Sequence, residues 1–334
     1  MSEITNTNDQ LAERLEKRTE ADWDMCFKGE NPKPTFLWDG FLAGSVGALI
    51  AAGGVGKSYL GLGLGISLTA KDMLQFNAMS ENNKVVYLTA EDPLVILEDR
   101  MSHFGEHLSP TEREKVIKNF SVQSIHGYSP ELLNIKGERN EIWINALKRL
   151  ATGKTLLMLD TLRKFHKAEE NDSGHMTHVT QILDEIASET GCAILFLHHA
   201  NKLATLSGQG GNQGASRGSS ALVDNIRYQI NLSVMTSAEA EKLGVDNDMR
   251  QKFVKLESSK ANYAENSGDW WFRRTKGGVL VKAVFDTPYQ VKQTKERKAA
   301  FKEELAQQAE PVQKVIDPSD PDSVSGMSYK DIFG

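Results

Sequence analysis

The chain has 334 residues, 40% of them hydrophobic and 25% charged, with a formal net charge of −6 at pH 7. That composition belongs to a globular protein of one large or two ordinary domains. It excludes coating of nucleic acid by bulk positive charge, though not a local basic surface. No segment reaches the roughly 18 consecutive apolar residues of a membrane span. The polar start MSEITNTNDQLAERLEK lacks the basic and apolar regions of a secretory signal, so a cytoplasmic location is expected. Cys26 and Cys192 show no CxxC spacing and are expected to be buried, inert thiols.

Residues 1–35 read as an arm outside the main domain, with a short amphipathic helix over 8–18 and a linker at NPKPT. Residues 36–290 read as the core domain. Its short apolar runs, VGALIA, KVVYLT, TLLMLD and AILFLH, alternate with helical patterns such as EIWINALKRLAT and HMTHVTQILDEIASET. Near-continuous apolar strands alternating with helices predict an α/β fold, a mostly parallel sheet covered on both faces. RYQINLSVM, RQKFVKLESS and GGVLVKAVF alternate like antiparallel strands extending that sheet. The glycine-rich stretch 203–219 is too long for a plain connection. Residues 291–334 turn charged and then Pro/Ser/Asp-rich, which predicts a flexible tail. Between 250 and 282, eight basic residues (Arg250, Lys252, Lys255, Lys260, Arg273, Arg274, Lys276 and Lys282) face only Glu257, Glu265 and Asp269. This local excess of positive charge has an ordinary reading as a solvated strand face.

IAAGGVGKSYL lacks only the first glycine of the phosphate-binding pattern G-x-x-x-x-G-K-[ST]; Ala51 stands there. It lies between an apolar strand and a helical stretch, the context the pattern requires. Gly53, Gly54, Val55, Gly56, Lys57, Ser58 and Tyr59 are therefore the candidate nucleotide-binding residues, for ATP. Lys57 would reach the β- and γ-phosphates and Ser58 would bind Mg²⁺. Glu91 follows the next strand and is the candidate base for the attacking water. Asp92-Pro93 is expected to cap a helix. Asp160 ends TLLMLD as a Walker-B-like carboxylate, holding Mg²⁺ through water. His198 and His199 end the next strand and point to opposite faces. One is expected in the core, and the other is placed to sense the γ-phosphate. Arg217 and Arg227 are the arginines available to complete a neighbouring subunit's site.

AAGGVGKS, YLTAEDP, LMLDTLRKFH, ILFLHHANK, ASRGSSALVDNIRYQ, SKANY and WWFRR together resemble the hexameric replicative helicases of RepA-type plasmids. More broadly they resemble the RecA-fold, DnaB-like P-loop ATPases. The resemblance runs from about residue 36 to 285 and implies a homohexamer that hydrolyses ATP to move 5′→3′ along single-stranded DNA and unwind duplex. It implies that Lys57 and Ser58 serve nucleotide and Mg²⁺, that Glu91 is the catalytic base and that Asp160 is the Walker B carboxylate. It makes His199 the γ-phosphate sensor and Arg227 the finger reaching the next subunit, with Lys260 a second cation acting in trans. Lys202 and Arg217 would bind DNA from the glycine-rich loop lining the central channel. It implies that the 1–35 arm packs on a neighbour. Initiator and primase proteins are the further partners it brings in. A reading from a different class also stands: a RecA-fold DNA-binding or regulatory ATPase that uses ATP as a switch.

Overall fold

The computed structural model describes residues 21–75, 77, 83–170, 172–199, 221–263 and 269–285. The expected helix at 8–18, the glycine-rich loop and the 291–334 tail lie outside the described residues. Two compact units are present. The larger comprises 1–236 with 248–283, and the smaller 237–247 with 284–334. In the smaller unit the described structure is chiefly a short helix, Ser237–Leu243, closed by the Val245 N–H donating to the Ala240 carbonyl.

Among the described residues the larger unit opens with helix α1 (Trp23–Lys28), N-capped by the Asp22 side chain and ended by Gly29. None of its residues is buried, and Cys26 on it is exposed. That corrects the expectation of two buried thiols. Cys192 alone is buried, and burial pushes its thiol up to about 12. A small hairpin follows, β1 (Phe36–Trp38) with β2 (Phe41–Leu42).

Among the described residues the main sheet has nine strands. Its parallel strands are β3 (Val46–Ala51), β4 (Val85–Thr89), β5 (Phe120–Ser124), β6 (Leu156–Asp160), β7 (Ala193–His199) and β8 (Tyr228–Val234). An antiparallel extension follows: β9 (Phe253–Ala261), β10 (Asp269–Arg274) and β11 (Leu280–Lys282). The order across the sheet is β11-β10-β9-β8-β3-β7-β6-β4-β5. The predicted sheet is therefore present, with one change. RYQINLSVM runs parallel to β3 and is antiparallel only to β9, so it belongs to the core rather than the extension.

Helices cover both faces of the parallel part. On one face lie α2 (Lys57–Thr69), α3 (Leu94–Gly105) and α4 (Pro110–Asn119). On the other lie α5 (Glu141–Ala151), α6 (Ser173–Thr190) and α7 (Ala221–Asp224). The two-residue side-chain period sorts each strand between these layers. On β6, Leu156 and Met158 join the first core and Leu157 and Leu159 the second. Helix α2 spends three glycines, each costing about 1 kcal/mol of helix propensity. At Gly65 a β-carbon would stand 2.2 Å from the Phe120 ring, so bare backbone is what lets this buried helix lie close against the sheet.

Helix α4 and strand β5 were not anticipated, although Ser109 and Glu112 form a complete capping box with Pro110 at the first turn. The expected Asp92 cap is corrected. Helix α3 begins at Leu94 with Pro93 as its N-cap and no side-chain capping bond. The Asp92 carboxylate instead accepts from Arg100 at 2.5 Å, a stronger partner than a backbone amide because both groups are charged.

Candidate nucleotide site

Because β3, β7, β6 and β4 are parallel neighbours, their C-terminal ends share one edge of the sheet. The connection from β3 passes through α2 on one face, and the one into β8 through α7 on the other. The crevice between β3 and β7 is thus a topological switch point, where open α/β sheets bind ligands.

The loop Ala52–Gly56 leaves β3 here. Gly56 sits at φ +104°, a conformation that a β-carbon would strain, and forms the N-cap of α2. No side chain caps the helix, so its first amides remain available to an anion. Ala51 is the last residue of β3 and is buried in extended backbone. A glycine is not required by that conformation, which explains how the loop dispenses with its usual first glycine. Its carbonyl lies 3.5 Å from Lys57 Nζ.

The alternation that builds the cores also aims the polar ends. Asp160 follows Leu156 and Met158 in phase and faces α2, where its Oδ2 accepts from Ser58 Oγ at 2.8 Å. Tyr87, in phase with Val85, donates its hydroxyl to the same oxygen. His199 follows Leu195 and Leu197, and its Nδ1 lies 3.2 Å from Lys57 Nζ. His198 faces the other way and is buried, 1% exposed, as the core histidine of the pair. Glu91 sits just beyond β4. Its Oε2 accepts from Thr161 Oγ1 at 3.2 Å and its Oε1 lies 4.0 Å from His199 Nε2. Lys57, Ser58, Glu91, Asp160 and His199 thus converge on one cleft of about 270 Å³, together with Gly54, Gly56 and Tyr59. Gly53 is exposed at the loop tip and Val55 is buried beneath it.

The electrostatics are those of a site built for a charged guest. Burial lowers the Lys57 pKa, opposed by Asp160 and Glu91. Burial raises the Asp160 pKa, opposed by the hydrogen bonds from Tyr87 and Ser58. Asp160 Oδ1 is buried with no hydrogen-bond partner among the described residues. A bare buried carboxylate oxygen beside a serine hydroxyl is a fitting donor set for Mg²⁺, a hard cation that takes few protein ligands and completes its shell with water and phosphate. Among the described residues no cluster of three His, Cys, Asp or Glu able to hold a metal is present.

Four contributors escaped sequence reasoning. Tyr87 and Thr161 were readable in principle, one by its phase on β4 and one as the neighbour of Asp160. Arg100 lines the cleft, paired with Asp92 and 5.6 Å from the centre of the Tyr59 ring. Arg274 donates to the Val55 carbonyl from β10, and no local pattern announces a partner 219 positions away.

Arg227 and Lys260 are not at this cleft. The Arg227 N–H bonds the Val46 carbonyl at the start of β3, and its side chain is exposed. Lys260, opposite Gln229, donates to the Val223 and Asp224 carbonyls at 2.9 and 3.0 Å. Five residue steps along β3 separate that end from Ala51, about 16 Å at the usual strand rise. Lys202 and Arg217 lie outside the described residues.

Among the described residues no helix is long and apolar enough to cross a membrane. The architecture is matched by known structures at low sequence identity. A structure described as the ATPase domain of G40P aligns with 80% of this chain and 100% of its own, at 13% identity and a TM-score of 0.52. A structure of a DnaB-like replicative helicase, described with its interactions with primase, aligns with 84% of this chain and 73% of its own, at 15% identity and a TM-score of 0.54. The fold is thus a RecA-like P-loop ATPase core. Residues 11–205, more than half of the chain, match the model of the AAA domain family. On that match the chain belongs to the AAA domain family.

Proposed function

We propose that this protein is a RepA-type replicative DNA helicase: an ATPase that assembles into a ring, a homohexamer, and moves 5′→3′ on single-stranded DNA in plasmid or mobile-element replication in the cytoplasm. In this reading Lys57 and the loop amides bind the phosphates of ATP. Ser58 and, through water, Asp160 hold Mg²⁺, which supplies neutralisation of phosphoryl charge. Glu91, oriented by Thr161, takes the proton of the attacking water. His199 lies between Lys57 and Glu91, so it is placed to register whether the terminal phosphate is present. Lys202 and Arg217 contact the DNA strand, and the arm at 1–35 packs on a neighbour.

One observation carries the reading. Arg227 and Lys260 stand together at the end of the sheet opposite the cleft, too far to complete the site of their own subunit. Repeated around a ring, that end can present both cations to the next subunit's phosphates, where an arginine acting in trans is worth about 10³–10⁵ in rate. The primase contact described for the DnaB-like structure makes a primase, after an initiator, the partner to test first.

The test is hydrolysis and fork unwinding with Arg227→Ala mixed into wild type. Stimulation by single-stranded DNA, loss of unwinding with Lys57→Ala, and poisoning of mixed rings by Arg227→Ala are expected. Hydrolysis indifferent to DNA, with mixtures that lose activity only in proportion to the variant added, would leave the switch ATPase as the better reading.

A further inference from the structure

Of the basic excess at 250–282, Arg274 braces the loop of the nucleotide cleft and Lys260 lies at the far end of the sheet, and none of it lines the cleft among the described residues. Strand β9 begins, and β10 ends, at the same edge of the sheet as the phosphate loop, because Val254 pairs with Val234 and Ala51 pairs with Leu232. Lys252 closes the turn before β9, Arg273 and Arg274 end β10, and Lys276 sits in the turn that joins β10 to β11. These four cations line one concavity of about 520 Å³ with Met249 and Thr275, and among the described residues no carboxylate lines it. Among the described residues none of the four forms an ion pair with an acidic side chain. Another cation of the segment does: Lys255 pairs with Glu257 and Asp269. Four like charges gathered without a counter-charge repel one another, a cost that an anionic ligand removes.

From this geometry we infer a second nucleic-acid contact, in which Lys252, Arg273, Arg274 and Lys276 track the phosphates of a single strand. The inference rests on the nucleic-acid reading above and adds a site distinct from the glycine-rich loop. The concavity is open and wide, and its cations are strung along two turns and a strand end, which fits a chain of phosphates better than one small anion. Contacts to phosphates carry no base information, so binding is independent of base sequence. Arg274 also holds the Val55 carbonyl, so one cation of this surface touches the phosphate loop directly.

The test leaves Arg274 intact and replaces Lys252, Arg273 and Lys276 by glutamine. Oligo-dT binding is measured across a salt series, with hydrolysis without DNA, particle mass and thermal melting read alongside. The expected result is a log–log salt slope shallower by about 2, at about 0.7 per lost phosphate contact, with reduced stimulation and unchanged hydrolysis without DNA. The three single variants, each losing about a third of that change, serve if the triple variant melts early. A slope equal to wild type overturns the inference. So does an altered particle mass with the slope intact, which would make the surface a contact between copies. Lys202→Gln with Arg217→Gln is the reference. If wild type itself fails to bind oligo-dT, the nucleic-acid reading falls. If only the loop variant loses binding, that reading stands and the second contact does not.

Discussion

The parallel and antiparallel halves of the sheet divide the work of the molecule. Strands β3, β4, β6 and β7 end in the groups that meet at the cleft: Lys57 beyond β3, Glu91 beyond β4, Asp160 on β6 and His199 on β7. The antiparallel half, β9 to β11, contributes no group to the lining of that cleft. It contributes instead a second patch of charge and a brace, since Arg274 reaches the loop from β10. The difference follows from geometry. Parallel strands all deliver their C-terminal ends to one edge, so their side chains converge. Antiparallel strands alternate direction, and β9 carries Lys260 away to the far edge.

The sharpest way to break this division is Glu91→Gln. If chemistry resides at the ends of the parallel strands, turnover falls by about 10²–10⁴ while the melting temperature and nucleotide affinity hold. Steady-state hydrolysis and a nucleotide titration check this, and turnover within a few-fold of wild type would remove Glu91 from the role of base. A second test asks whether the antiparallel half is part of the same core. Phe272 on β10 is 0% exposed, pairs with Val254 across the sheet and belongs to the first cluster. Phe272→Ala is expected to cost about 3–5 kcal/mol in urea unfolding, in one transition. A loss under about 1 kcal/mol would make the extension an appendage.

The third and smallest effect probes the parallel half beneath the cleft. Burial, and the nearby Arg163, push His166 down to about 4 from 6.5. Between those values the unfolded chain takes up a proton that the folded one refuses, so stability falls as pH drops from about 6.5 towards 4, by up to about 3 kcal/mol. Replacing it, His166→Leu, is expected to flatten stability against pH in that window, as read by denaturant melts at several pH values. An unchanged slope would assign the acid sensitivity to other groups.

Which residues meet at the candidate site is largely legible in the sequence, because the cleft is built from local signals. The glycines before Lys57, the carboxylate that ends TLLMLD and the histidines that end AILFLH each sit in a short apolar run whose period assigns their side. The fold was legible for the same reason, down to the mostly parallel sheet. Helix α4 is signalled by its capping box alone, since none of its residues is buried. The Asp92 cap was misread because a capping signature two residues long cannot compete with a charged partner eight residues on.

Sequence alone therefore determined which residues end the parallel strands, since alternation and turn chemistry are local. Tertiary structure alone decided what each of them meets. It put Tyr87 on Asp160, Arg274 on the Val55 carbonyl and RYQINLSVM parallel to β3. It also set Arg227 with Lys260 about 16 Å from their own cleft. These pairings join segments up to 219 positions apart, and only the packing of the sheet, which no short-range pattern encodes, brings such segments together.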